Sequence, residues 1–180
     1  MNAKVKSSEQ LIPFYSTKDI ISAYTLASES SVQLRTLFNQ IIKSISFVKA
    51  HAEEYRADST VFTEMENLTI LAVQLADTQI DRYNGLKNDK DASDEYDAGD
   101  LLDAYALARE GATWLDTLCF QLNSEMREVK EATQTKIHFS VFSTLERLIH
   151  IAEYLAESHS NTFNIECEKY EAEWEATKNG

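Results

Sequence analysis

Asp89, Asp91, Ser93, Glu95, Asp97 and Asp100 fall at the spacing of the oxygen ligands in a calcium-binding loop, a donor set suited to a hard divalent cation. Two departures weaken that chemistry. Asp94 stands where such a loop needs glycine for its sharp turn, and Asp100 is one methylene shorter than the usual bidentate glutamate. A solvated acidic link is the better reading. A di-metal carboxylate centre in a helical bundle needs Glu-x-x-His, but the residues three before His51, His138, His150 and His159 are Val48, Thr135, Arg147 and Ala156. With a first turn centred near residue 58, Glu29 and Glu66 would lie roughly 30 Å apart along antiparallel helices, too far to share a metal. Glu146, His150, Glu153 and Glu157 form a charged stripe that reads as a solvated helix face.

Other catalytic patterns are missing. Arg147 and His150 stand too close to act as the Arg and His pair of helical ribonucleases. Glu125 and Glu128 supply half of a helical nucleotide pyrophosphatase set, with no Glu-x-x-Asp partner after them. No glycine-rich phosphate loop or Gly-x-Ser-x-Gly elbow occurs. The expectation is a protein that is not an enzyme, with no catalytic residue, cofactor or resident metal.

The elements that must position any site are written twice. Asp19-Ile-Ile-Ser-Ala-Tyr-Thr-Leu-Ala-Ser-Glu29 matches Asp100-Leu-Leu-Asp-Ala-Tyr-Ala-Leu-Ala-Arg-Glu110, and identities continue at Leu34/Leu115, Thr36/Thr117, Leu37/Leu118 and Gln40/Gln121. A second match sets Val61-Phe62 over Val141-Phe142 and runs through Ala72/Ala152 to Ala76/Ala156. The repeating unit is a helical hairpin. Four glycines and a single proline, Pro13, leave little punctuation for a sheet protein.

In the first helix Ile20, Tyr24, Ala27, Ser31, Leu34, Phe38, Ile41, Ile45, Val48, Ala52 and Tyr55 alternate steps of four and three. The copy reads Leu101, Tyr105, Ala108, Ala112, Leu115, Cys119, Leu122, Met126 and Val129. Inward seams of the return helices are Val61, Met65, Leu68, Ala72, Leu75 and Val141, Leu145, Leu148, Ala152, Leu155, flanked by Phe62/Phe142 and Leu71/Ile151. Ser16 or Thr17 with Asp19 should cap the first helix, Ser59 or Thr60 the second, and Asn84-Gly85 should stop the second. The turn between the third and fourth helices falls near Thr133 to Lys136. Each hairpin has one apolar face, so the fold expected is all-α: an elongated antiparallel four-helix bundle with approximate internal two-fold symmetry. It forms a single domain of hairpin 17–86, acidic linker 87–98 and hairpin with C-terminal extension 99–177. An obligate dimer of interlocked hairpins would keep the same pairings.

A net charge of −13 disfavours direct binding to nucleic acid or an anionic membrane and favours basic or neutral protein partners. No long uncharged apolar run appears, and Cys119 and Cys167 lack any paired spacing. A soluble, unprocessed, cytoplasmic protein with reduced core thiols is expected.

Candidate recognition surfaces come from comparing the two copies. The outer stripe Glu66, Ile70, Val73, Asp77 becomes Glu146, His150, Glu153, Glu157, and Phe47 stands opposite Glu128. Phe47, Ile70 and Val73 therefore form an expected apolar face for a partner or for a second copy, unless Leu11, Ile12, Phe14 and Tyr15 fold over it. Asp94, Glu95 and Asp97 lie in the link. Residues 84–103 hold seven acids against two lysines, and residues 153–178 repeat that ratio, giving one acidic end to a basic partner or to a decoy for a nucleic-acid-handling protein. Tyr170 and Trp174 continue an aromatic stripe with Phe163 and Cys167, which either packs on Ile12, Phe14 and Tyr15 or docks in a partner groove. Tyr24 and Tyr105, equivalent and on the seam, are expected to fix register.

Overall fold

The computed structural model describes residues 14–91 and 94–178. Within them the chain is all-α, with helices α1 (Thr17–Glu54), α2 (Thr63–Asn88), α3 (Ala98–Thr133) and α4 (Ser143–Lys178). At 38 residues α1 is about 57 Å long. Single 3-10 turns, Ser59–Phe62 and Phe139–Phe142, lead into α2 and α4. Each helix packs chiefly on its hairpin partner, while α1 and α3 occupy the centre and touch all the other helices.

Local chemistry sets the ends. The Ser16 N–H donates to the Asp19 carboxylate at 2.9 Å, as expected for a cap on α1. Asp97 and Asp100 form the reciprocal version at α3: Asp97 accepts from the N–H groups of Gly99 and Asp100 (2.8 and 3.1 Å), and its own N–H donates to Asp100 (3.0 Å). The 3-10 turn leading into α2 is capped by Asp58, ahead of the expected Ser59 or Thr60, because its carboxylate accepts the Thr60 N–H at 2.9 Å. α1 ends in a Schellman turn with Arg56 left-handed at φ 56°, closed by Ala57 N–H to Ala52 O (2.8 Å) and Arg56 N–H to Glu53 O (3.0 Å). Asn84-Gly85 does not stop α2, which runs on to Asn88 with no glycine at positive φ among the described residues.

A two-residue ribbon ties the starts of the hairpins together. β1 (Tyr15–Ser16) pairs antiparallel with β2 (Glu95–Tyr96), Tyr15 opposite Tyr96. Periodicity gave no sign of this pair.

The α1 seam is buried from Ile20 to Ala52, but Tyr55 lies beyond the last turn and is exposed. On the return helices Met65, Ala72, Leu145 and Ala152 of the expected seam are buried, but the rest of the buried line is one residue away from it. Phe62, Thr69, Ala76 and Phe142, Ile149, Ala156 are deepest with Met65, Ala72, Leu145 and Ala152, whereas Val61, Leu68, Leu75 and their counterparts are half-buried flanks. Leu71 and Ile151 are exposed. The cause is position: α2 packs against both α1 and α3, so its deepest line lies between those neighbours. Thr69 is accepted there because its hydroxyl donates to Met65 O at 2.7 Å.

Two apolar clusters result, one from Leu34 to the hairpin turns and one at the link end. A polar layer separates them. The Ser31 hydroxyl donates to Gln79 Oε1 (3.1 Å), Gln79 Nε2 donates to Gly111 O (3.0 Å), and the Tyr83 hydroxyl donates to Leu107 O (3.3 Å).

Candidate functional site

The outer groove of the first hairpin is framed by two ion pairs. Lys49 Nζ bonds Glu66 at 2.8 Å, and Arg35 Nη1 bonds Asp77 at 2.8 Å. Between them lies a depression of about 190 Å³ lined by Ile42, Ile45, Ser46, Glu66, Asn67 and Ile70. Ile70 is 47% exposed at its rim, while Val73 is half-buried against the core. Phe47 is 66% exposed but does not line the groove. Five residues beyond Ile42, it is turned about 140° around the helix, so the expected face of Phe47, Ile70 and Val73 is not one surface.

In the second hairpin the same frame changes character. Lys130 and Glu146 repeat the first ion pair at 3.2 Å. The places of Arg35 and Asp77 in the repeat are taken by Asp116 and Glu157, that of Val73 by Glu153 and that of Ile42 by Asn123. Asp116, Thr117, Phe120, Glu153 and Glu157 line a depression of about 390 Å³. Burial, then the charges of Glu157 and Glu153, hold the Asp116 carboxyl above the usual carboxylate range. Asn123, 9% exposed, donates from Nδ2 to Glu153 at 3.2 Å, and its Oδ1 is buried without a partner. Phe120 is 68% exposed beside the acids. Reasoning from the sequence had Glu153 and Glu157 as part of a solvated stripe and missed Asp116 and Phe120 beside them; the signal was the charge reversal from Arg35 to Asp116 across the repeat.

The acidic link is tied down at several points. Besides capping α3 with Asp97, it offers the carbonyls of Asp91 and Asp94 to the Thr17 hydroxyl (2.7 and 3.2 Å), and the Asp94 carboxylate accepts from the Tyr96 hydroxyl at 3.2 Å. Glu95 is exposed on β2. Lys90 Nζ stands over the rings of Tyr24 and Tyr96, 5.9 and 5.2 Å from their centroids. Of the calcium-loop positions, Ser93 lies outside the described residues, and the carboxylates of Asp97 and Asp100 face backbone N–H groups of the cap.

The aromatic stripe of α4 folds inward. Tyr170, 7% exposed, stacks on Tyr105 (5.7 Å, 8°) and meets Tyr15 edge-on (5.4 Å). Trp174 is half-buried over Gly99, where a Cβ would stand 3.2 Å from its ring. The Tyr15 hydroxyl bonds Glu173. Tyr170 is thus a core residue of the link end and is not presented to a partner. Phe14 is exposed, and Leu11 and Ile12 lie outside the described residues.

Buried reactive groups are few. Burial pushes the Cys119 thiol up to about 12, and Cys167 is raised by the same cause; both are free thiols. The His159 Nδ1 lies 3.3 Å from the Ser30 hydroxyl, and its Nε2 is buried without a partner. Among the described residues, no group of three or more His, Cys, Asp or Glu is placed to hold a metal ion, and no helix is long and apolar enough to cross a membrane. No protein-family model, curated protein or solved structure gives a significant match to the chain.

Proposed function

We propose that the chain acts by binding another protein, as an adaptor, inhibitor or small regulatory protein without catalytic activity, and that the outer groove of α1 and α2 is its docking surface. The observation that carries this reading is Ile70, held exposed beside Ile42 between two ion pairs, where the other hairpin has His150 and Asn123. An apolar anchor enclosed by satisfied charges is the composition of a small interface centre with a polar rim. A partner helix or loop would bury Ile70 and leave the ion pairs at the margin. The test is an affinity pull-down from the native host with the unaltered chain, Ile70→Glu and Val73→Glu. Loss of a specific partner with Ile70→Glu is expected, and unchanged recovery overturns the reading.

A second reading, an acidic decoy for a basic nucleic-acid-handling protein, is favoured by the charge at the link end. Residues 84–103 carry seven acids against two lysines, and residues 166–178 of α4, at the same end, carry five glutamates against two lysines. Decoy binding should weaken steeply between low and high salt, whereas docking on Ile70 should not.

A further inference from the structure

We infer that the outer face of α4 binds the same face of a second copy of this chain, the two α4 helices lying antiparallel about a two-fold axis at Ser158. α4 carries two seams. The inner one, through Leu145, Ile149, Ala152 and Ala156, is buried against α3 and α1. On the opposite side Arg147, Tyr154, Asn161 and Glu168 fall at intervals of seven, with Ile151, Ser158 and Ile165 between them at the same interval. Together they alternate steps of four and three over 22 residues, the pattern of a helix that lies along another helix. Among the described residues nothing covers this second seam: Tyr154 and Ile165 are 68% and 64% exposed, and Ile151 is exposed as well. The bundle does not require these side chains. At the matching places of the sequence repeat α2 has Gln74 for Tyr154, Asp81 for Asn161 and Gly85 for Ile165, and it still packs along α1.

Charge and symmetry select the occupant. Glu153, Glu157 and Glu166 fall to the sides of the seam, so that Arg147 and Glu168, near its two ends, are its only charges. Among the described residues neither makes an ion pair; Glu168 accepts the Asn164 amide at 2.7 Å, and the neighbouring Lys169 is held by Glu166 at 3.3 Å. A second copy running the opposite way brings its Glu168 beside Arg147 at both ends, within about 1.5 Å of the same height. A parallel copy would set like charges together. Ile151 and Ile165 each stand seven residues from Ser158, so each meets its counterpart at one level, and Tyr154 meets Asn161. An isologous contact demands this self-complementarity, and an unrelated partner does not. The small Ser158 at the axis lets the backbones approach, and the Thr162 hydroxyl beside it already donates to Ser158 O at 2.9 Å.

The experiment is sedimentation equilibrium of the full chain under reducing conditions, from about 1 µM to about 500 µM. A seam about 33 Å long makes a small interface, so a reversible dimer dissociating in the micromolar range is expected. Ile151→Glu combined with Ile165→Glu should weaken it at least tenfold and, because both side chains are exposed, leave the helical circular dichroism unchanged. Arg147→Glu and Glu168→Arg should each weaken it several-fold. The two together keep the net charge and should restore the dimer, which separates pairing from the general repulsion of two acidic chains. A monomer at every concentration, a dimer indifferent to Ile151 and Ile165, or a charge swap that recovers nothing each overturns the inference. Ile70→Glu should leave the dimer intact, so failure of that variant to lose a partner bears on the proposed function alone. A dimer lost in Ile70→Glu and kept in the α4 variants would place self-association on the other hairpin and overturn the inference.

Discussion

His159 enters the polar layer where the first hairpin has Gln79, and the two side chains differ in how far they are satisfied. Gln79 accepts from Ser31 and donates to Gly111 O, whereas His159 has Ser30 on one nitrogen and nothing on the other. Burial lowers its pKa below the ordinary value of about 6.5. As pH falls below that value the unfolded chain protonates this imidazole before the folded chain does, so it binds more protons. The contribution is therefore complete above about pH 6.5 and is lost as pH falls towards the depressed folded value. His159→Gln should lose less stability than the unaltered chain between about pH 7 and about pH 5. Urea midpoints at the two pH values check this, and parallel losses would remove His159 as the cause. Arg56 is a second residue whose type and setting disagree, being the non-glycine at positive φ that closes α1. Arg56→Gly removes that backbone strain, and a gain of about 1 kcal/mol is expected from urea unfolding. A loss would mean that the arginine side chain contributes more than its backbone costs.

The long central helix α1 was the most legible element, because every residue of its four-and-three spacing from Ile20 to Ala52 is buried. The return helices were less so. Their deepest line runs between two neighbouring helices, through Ala76 and Thr69, and Thr69 in the core breaks the apolar pattern while satisfying its hydroxyl within its own helix. The ribbon of Tyr15–Ser16 with Glu95–Tyr96 was invisible, since two residues carry no period. Of the candidate site, Ile70 was legible from the charged stripe on its twin helix, Phe47 was joined to it only because Glu128 stands opposite it in the repeat, and the pocket at Asp116 needed the opposing helices in register. Close approach of α2 to α3 depends on Gly111, where a Cβ would stand 2.7 Å from the Tyr83 hydroxyl and 2.8 Å from Gln79 Nε2. Gly111→Ala gains about 1 kcal/mol of helix propensity but adds overpacking of about 1–3 kcal/mol and disturbs the bond from Gln79. A net loss of about 1 kcal/mol in urea unfolding is expected. A more stable variant would show that the polar layer yields without cost.

At the scale of the whole molecule, charge works against compactness. A net of −13 on one chain, gathered at the link end and in the α3 and α4 groove, repels itself, and the repulsion between exposed groups is screened by salt with a Debye length of about 10 Å at 0.1 M. Raising sodium chloride from about 10 mM to about 500 mM should therefore raise the melting temperature. Asp116→Arg separates the groove from the rest of that field. It removes the carboxyl that burial and Glu157 hold above its usual range and places a cation against Glu157, as Arg35 stands against Asp77. A partly exposed ion pair of this kind contributes about 0.2–1 kcal/mol. Because its source is Coulombic and near the surface, the gain should be largest at low salt and shrink as salt rises. Melting curves of the unaltered and Asp116→Arg chains across that salt range measure the difference directly. A gain that is constant with salt would trace to packing of the longer side chain. No gain at low salt would mean that the three carboxylates already lie far enough apart to be indifferent to one another.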